Sequence, residues 1–356
     1  MRWFAGLLVV FAAILGGLFA IGYFVLPNTL DVRRSVQIER PRATVFAQVN
    51  DLRIAKEWSP VYAADPAANY TFSSDEPGDG QTMRWSSTRR ELGAGEQTII
   101  RSMPPVGVDT IVRLGDRAAM NADLRLRPPR DGRNTITNVV WRVSAVCQPG
   151  AINVPCRYVN LLMSREIERN LALGLARLKT MSEQLPDVDF EGLEPEFVTV
   201  APQPYLYSPV SVSLTDDPVE LARRVGIAME LGRRNADRTV TESRLVRAGS
   251  LLRVTTQMDD ERIAFRIGYP FSGPAPLALA GEEVGQTPSG PAMRVTHAGP
   301  RSGLSLTYAR AYAYLRAHHI QLRDQGFPWE VVLTEAADAA ANPNADVRIE
   351  LYYPVQ

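Results

Sequence analysis

Histidine and cysteine are the residue types that most often hold zinc or act as nucleophiles, and this chain has few of them. The histidines are His297, His318 and His319, and the cysteines are Cys147 and Cys156. No zinc-type spacing can be built from these residues, and the adjacent His318 and His319 do not share a helical face. We therefore expect the histidines to serve packing or the surface, and we predict neither a metal nor a cofactor.

The sequence also lacks the common catalytic signatures. The sequence has no Gly-x-Ser-x-Gly elbow, no phosphate loop and no dinucleotide fingerprint. Lys56 and Lys179 are its only lysines, and neither stands in a context typical of a Schiff-base lysine. Motifs alone therefore favour a protein that binds over one that catalyses.

The two cysteines bracket the turn signal Gln148-Pro149-Gly150. They could close a short loop as a disulfide between Cys147 and Cys156, or they could be two buried free thiols. Persistent disulfides belong outside the cytosol, so a bond here would favour an extracytoplasmic protein.

Length and composition predict a chain with more than one core, and the strand and helix patterns described below predict the α+β class. The 356 residues suit two globular domains behind a short anchor, and 45% apolar with 22% charged residues is a folding composition. The formal net charge of zero argues against a nucleic-acid partner.

The N-terminal stretch, residues 1–29, predicts a single transmembrane helix. No charged residue occurs from Trp3 to Leu26, which is long enough to cross ~30 Å of hydrocarbon, and Pro27 ends the run. A cleaved signal peptide is the alternative, but no small-x-small site follows. Arginines after the helix favour a cytoplasmic body, whereas the cysteines favour an extracytoplasmic one, which is the orientation we predict.

Residues 30–187 predict a first domain made of an antiparallel meander and a long closing helix. A strand ends near Pro41, a short helix covers 43–49, and alternating strands separated by glycine turns follow. An apolar stripe then recurs at helical spacing over 159–185, so the helix must lie against the sheet.

Three segments of this domain resemble the SRPBCC superfamily of polyketide cyclases and START-like proteins: Val36-Gln37-Ile38-Glu39-Arg40-Pro41, Val45-Phe46-Ala47-Gln48-Val49-Asn50-Asp51 and Trp58-Ser59-Pro60. The resemblance implies a helix grip, in which the sheet wraps the long helix around a cavity for an apolar ligand or lipid. Candidate pocket residues are Trp58, Tyr62, Trp85 and Trp141, because aromatic side chains often line such sites. The alternative is that these four are ordinary core.

An acidic, proline-broken linker over 188–196 leads to a second domain over 197–356. Two passes of strand, helix, strand and strand follow it, with helices at 219–233 and 306–325. Ile263-Ala264-Phe265-Arg266-Ile267-Gly268-Tyr269-Pro270 parallels Val347-Arg348-Ile349-Glu350-Leu351-Tyr352-Tyr353-Pro354. Two related halves that share one sheet are therefore predicted.

His297-Ala298-Gly299-Pro300, the helix around Tyr308 and Gly326-Phe327-Pro328-Trp329-Glu330 resemble the GyrI-like effector-binding domains of bacterial regulators. The resemblance implies that Glu330 lies in a central cleft and faces a cationic, apolar ligand, with Tyr308, Tyr312 and Trp329 beside it. Val332 departs from the tyrosine usual at its position, and no helix-turn-helix domain is attached. The alternative is that Glu330 is a solvated strand-end carboxylate.

The leading hypothesis is a membrane-anchored, non-catalytic binding protein for hydrophobic or amphipathic small molecules, cationic ones included. The second is a hydrolase or cyclase that uses Glu330 as a general base. The third is an envelope scaffold in which both pockets are vestigial.

Overall fold

The computed structural model describes residues 2–89, 92–115, 119–129, 134–150, 153–215, 217–259, 261–273, 283–324, 326–335 and 344–356. Over these residues the chain is mixed α+β and forms two compact units, Met1–Glu191 and Gly192–Gln356.

The first unit follows the predicted order of a meander and a closing helix. Its helices are α1 (Arg2–Phe24), α2 (Arg42–Asn50), α3 (Leu52–Trp58), α4 (Pro60–Ala64) and α5 (Val154–Glu183). Its strands are β1 (Thr29–Ile38), β2 (Asn69–Phe72), β3 (Thr82–Ser86), β4 (Ala94–Met103), β5 (Gly107–Leu114), β6 (Met120–Arg127) and β7 (Thr137–Val146).

The strands form one antiparallel sheet in the order β1-β7-β6-β5-β4-β3-β2. Helix α5 buries Leu171, Leu175 and Leu178 in the core that the sheet encloses, and these residues stand at helical spacing on one face. The sheet therefore wraps the long helix, which is the helix-grip arrangement that the resemblance implied.

The prediction of a single-pass membrane protein is wrong. Within the described residues, no helix is both long and apolar enough to cross a membrane.

The last turns of α1 are docked on the first turns of α5. Arg157 donates to the carbonyl oxygens of Tyr23 at 2.6 Å and Leu26 at 3.1 Å, and the Tyr158 hydroxyl donates to Leu18 at 2.6 Å. The Tyr23 carbonyl is one of those that a helix end leaves without an intrahelical partner, and Arg157 satisfies it.

The second unit is a sheet covered by helices on one face. Its helices are α6 (Pro218–Glu242) and α7 (Leu304–Ala317), the latter entered through a 3-10 turn (Arg301–Gly303). Its strands are β8 (Glu196–Val200), β9 (Pro204–Ser213), β10 (Val246–Arg247), β11 (Leu251–Met258), β12 (Arg262–Ser272), β13 (Glu283–Gln286), β14 (Gly290–Pro300), β15 (Trp329–Glu335) and β16 (Asp346–Pro354).

The strand order shows the predicted repeat. The sheet runs β13-β9-β12-β11-β15-β16-β14-β8, so β9-β12-β11 mirrors β14-β16-β15 about the β11–β15 pair. Each half contributes strand, helix, strand and strand. Helix α7 ends at Ala317 and not near Gln325, because His319 adopts a left-handed φ of 56°.

Candidate functional site

A cavity of about 870 Å³ opens in the first unit between α4, α5 and the strands β3 to β6. Its apolar lining comes from Val61, Trp85, Leu92, Leu114, Met120, Met163 and Ile167. Arg89, Glu166 and Asn170 add polar groups. The volume lies in the range of small-molecule sites, which are lined mainly by apolar side chains with a few polar groups.

Trp85 lines this cavity and carries a buried polar atom. The residue is 3% exposed, and its indole Nε1 has no hydrogen-bond partner among the described residues. Its register partner on β4 is Gly95, where a Cβ would stand 2.2 Å from the Trp85 ring. Glycine is therefore required at position 95 for the indole to take this place.

Trp141 and Trp58 pack against each other in the core and are not among the lining residues of the cavity. Their rings meet edge to face at 5.3 Å, and the Trp58 Nε1 donates to the Gln48 carbonyl at 3.0 Å. Trp141 packs on Gly174 of α5 together with the lining residue Pro60, while its own Nε1 has no partner in the described chain. Both side chains belong to the buried core.

Tyr62 packs beside Tyr70. Its ring lies 6.0 Å from that of Tyr70, and the Lys56 ammonium stands over both rings at 5.1 and 5.6 Å. Burial, followed by the charge of Asp65, raises the pKa of Tyr70. The structure therefore places Trp85 in the cavity lining, Trp58 and Trp141 in the core outside that lining, and Tyr62 in an aromatic cluster with Tyr70.

Cys147 and Cys156 are joined as a disulfide with a Cα–Cα distance of 5.9 Å. The bond links the residue after β7 to the first turn of α5, and the Asn160 side chain donates to the Cys147 sulfur at 3.2 Å. It fixes the start of the helix that lines the cavity.

Glu330 lies at the centre of the second unit and is only 8% exposed. Its Oε1 accepts a hydrogen bond from the Tyr308 hydroxyl at 2.8 Å, and its Oε2 pairs with Arg253 Nη1 at 3.2 Å. Arg253 and Glu330 are direct register partners on β11 and β15, where the two halves of the sheet meet. The carboxylate is therefore buried and charge-paired, unlike a solvated strand-end group.

The aromatic neighbours of Glu330 differ from the predicted set. Tyr308 contacts it, and Tyr353 packs on Tyr308 at 6.2 Å. Burial, and then the charge of Glu330, raise the pKa of both phenols. Tyr312 is 48% exposed, and Trp329 stacks on Tyr352 in a separate apolar cluster on the opposite face of the sheet.

Arg253 is the residue that sequence reasoning missed. It is the one charged residue in Leu251-Leu252-Arg253-Val254, a run that is buried throughout. A lone charge in such a run is a signal for a buried partner. The partner of Arg253 could not be identified from the sequence, because the pairing joins residues that are distant in sequence.

His297 has a packing role of the kind predicted. Its ring nitrogens lie 2.8 Å from the Thr307 hydroxyl and 3.2 Å from the Pro300 carbonyl oxygen. The contacts tie β14 to the start of α7.

Fold and cavities together define a two-unit α+β protein. No family model matches the chain, and no curated protein matches it in sequence. Among solved structures, it is similar to a norcoclaurine synthase point mutant of Thalictrum flavum with a transition-state analogue, at 10% identity and TM-score 0.35, over 44% of this chain and 95% of that chain.

Two further likenesses are of the same order. The di-domain ARO/CYC StfQ of the steffimycin biosynthetic pathway has 12% identity and TM-score 0.33, over 44% of this chain and 51% of that chain. The EcmrR C-terminal domain has 12% identity and TM-score 0.35, over 46% of this chain and 98% of that chain. These likenesses concern the fold alone, so the chemistry must be read from the chain's own side chains.

Proposed function

We propose that the first unit binds an apolar small molecule that carries a hydrogen-bond acceptor. The observation that carries the proposal is the cavity of about 870 Å³, lined by apolar side chains around the buried Trp85 indole, whose Nε1 lacks a partner among the described residues. A buried donor without an acceptor is costly by about 1–3 kcal/mol, and a ligand acceptor would remove that cost.

The lining supports binding more than catalysis. Trp85 can only donate, and the apolar residues around it supply area without reactive groups. Glu166 is the carboxylate of the lining, but it is more than half exposed and pairs with Arg169 at 2.9 Å. A solvated carboxylate that is already paired with an arginine is poorly placed to accept a proton from a ligand in the cavity.

The Glu330 cluster supports a structural role in the second unit. Arg253 already supplies the positive charge that a cationic ligand would otherwise bring, and Tyr308 occupies the other carboxylate oxygen. A ligand of this half therefore does not need to be a cation. The same two contacts argue against Glu330 as a free base for water.

The binding proposal can be tested with N-phenyl-1-naphthylamine, an apolar dye whose fluorescence rises in apolar surroundings. Ala64→Trp should fill the mouth of the cavity, because Ala64 lines it and is itself exposed. We expect the variant to weaken dye binding at least about tenfold. The reason is that the dye would lose about as much buried apolar surface as one buried apolar side chain provides.

Ala67→Trp is the matched control, because Ala67 is also exposed and lies outside the cavity lining. It should bind the dye as the unaltered chain does. Circular dichroism and the urea midpoint should show that both variants fold. Equal dye affinity in all three proteins would overturn the proposal.

A further inference from the structure

The second unit carries another cavity, of about 470 Å³, on the sheet face opposite to Glu330. Side chains alternate along a strand, so Trp329 and Glu330 point to opposite faces of β15. The cavity is lined by Trp329, Val254 and Arg266, and by loop residues that include Phe327 and Arg323. This trough is separate from the Glu330 cluster.

One row of side chains crosses three neighbouring strands to form its floor. Arg266 on β12 is the register partner of Val254 on β11, and Val254 is the partner of Trp329 on β15. Partners in one row project to the same face, and strands lie about 4.8 Å apart. Arg266 and Trp329 are thus about 10 Å apart at the backbone, with the shorter valine between them.

The charge of the trough is positive. Arg266 and Arg323 contribute two cations to the lining, whereas Asp324 contributes one carboxylate. Arg266 is exposed, lies over the Tyr207 ring at 4.7 Å and hydrogen-bonds the Tyr205 hydroxyl, so neutral tyrosine side chains hold it in place.

Arg323 is also held by neutral groups. Its guanidinium donates to the Ser289 carbonyl at 2.9 Å and to the Pro291 carbonyl at 3.3 Å. Gly290, with φ of 100°, leaves room for it, because a Cβ there would stand 2.5 Å from Nη2. Neutral groups do not cancel the charge of a guanidinium, so both arginines keep a positive charge that can pair with an anion.

Strand β11, which pairs with the strand that carries Arg266, is irregular beside this residue. The β11–β12 register shifts between Thr255 and Gln257, and Thr255 and Thr256 line the trough. Such bulges re-aim side chains and are common beside binding sites.

We propose that this trough binds a planar aromatic anion. Its carboxylate would pair with Arg266, and its rings would cross Val254 to reach Trp329 and Phe327. The span of about 10 Å suits a fused two-ring carboxylate. The ligand class differs from the uncharged, apolar one proposed for the first unit.

The test uses equilibrium dialysis of the full chain carrying Ala64→Trp, so that the first cavity is filled, with 1-naphthoate and with its neutral analogue 1-naphthalenemethanol. We expect naphthoate to bind more tightly, and Arg266→Gln to weaken it at least about tenfold while changing the neutral analogue little. Arg262→Gln is the matched control, because Arg262 lies on the same strand outside the trough. Ala64→Trp, which fills the first cavity, should leave naphthoate binding unchanged.

Salt dependence provides a second measurement if Arg266→Gln fails to fold by circular dichroism. Naphthoate binding to the unaltered chain should weaken as ionic strength rises, and binding of the neutral analogue should not. Equal binding of the two probes, no naphthoate binding, or naphthoate binding lost in Ala64→Trp but kept in Arg266→Gln would each overturn the proposal.

Discussion

Replacing Arg253 by methionine should destabilise the second unit, because the Glu330 carboxylate would remain buried without its cation. The pair is almost closed to solvent, with side chains 5% and 10% exposed. Removing one partner of a buried pair typically costs 3–5 kcal/mol. Glu330→Leu should cost a similar amount, since the guanidinium would lose its carboxylate and Tyr308 its acceptor.

The double variant Arg253→Met with Glu330→Leu should be much closer to the unaltered protein. Both charges are then gone, and the remaining loss is mainly the Tyr308 hydroxyl left without its acceptor, about 1–3 kcal/mol. If the two single losses were additive, the double variant would lose about 6–10 kcal/mol. The double-mutant cycle should therefore show a coupling of several kcal/mol between Arg253 and Glu330. For a unit of this size, each kcal/mol corresponds to roughly 2–4 °C in melting temperature.

Hydrogen exchange followed by mass spectrometry can localise this effect to peptides from β11 and β15, and calorimetry can supply the melting temperatures. Additive single losses in the double variant would refute the argument that the pair is coupled.

Two further predictions concern the first unit. Burial raises the pKa of Asp51, but hydrogen bonds from Arg53 and Gln81 outweigh it and hold that pKa below its usual value. A lowered pKa means that the ionised Asp51 carboxylate stabilises the folded state. This stabilisation is present above pH ~4 and is lost as the pH falls through the pKa of the folded state. In Asp51→Asn, the urea midpoint should therefore fall less steeply as the pH is lowered than it does in the unaltered chain. An equally steep fall in both proteins would contradict this role of Asp51. Replacing Cys147 and Cys156 by alanine opens a loop of sequence separation 9 and should cost about 2.5–3 kcal/mol in urea unfolding. Dithiothreitol should destabilise the unaltered chain by a similar amount and leave the double variant unaffected, and a response of the double variant would contradict this.

Local pattern predicted the elements well where one face is buried. Leu171, Leu175 and Leu178 repeat at helical spacing, and α5 follows that stripe into the core. The Tyr-Pro endings of the two alternating segments indicated the repeat, and β12 and β16 take equivalent places in the strand order. In both cases, periodicity and burial select the same structure.

Local pattern misled where the deciding contact is distant or the signal is ambiguous. The apolar run at the N-terminus satisfied the rule for an anchor, yet the described part of α1 ends docked on Arg157 and Tyr158 of α5. No glycine or proline marked the end of α7, which His319 provides through its left-handed φ.

The candidate site was predicted only in part for the same reason. Trp85 and Glu330 were named from sequence, but Trp329 follows strand alternation to the face opposite its neighbour. The Arg253 partner depends on the register of β11 against β15, which local residues do not specify.

Methyl NMR of the methionines would test the binding claim most directly. Met120 and Met163 line the first cavity, whereas Met258 is exposed on the second unit and serves as an internal control. With N-phenyl-1-naphthylamine present, the cavity account predicts intermolecular NOEs and shift changes at Met120 and Met163 and none at Met258. Shift changes confined to Met258, or none at Met120 and Met163 under saturating dye, would contradict it.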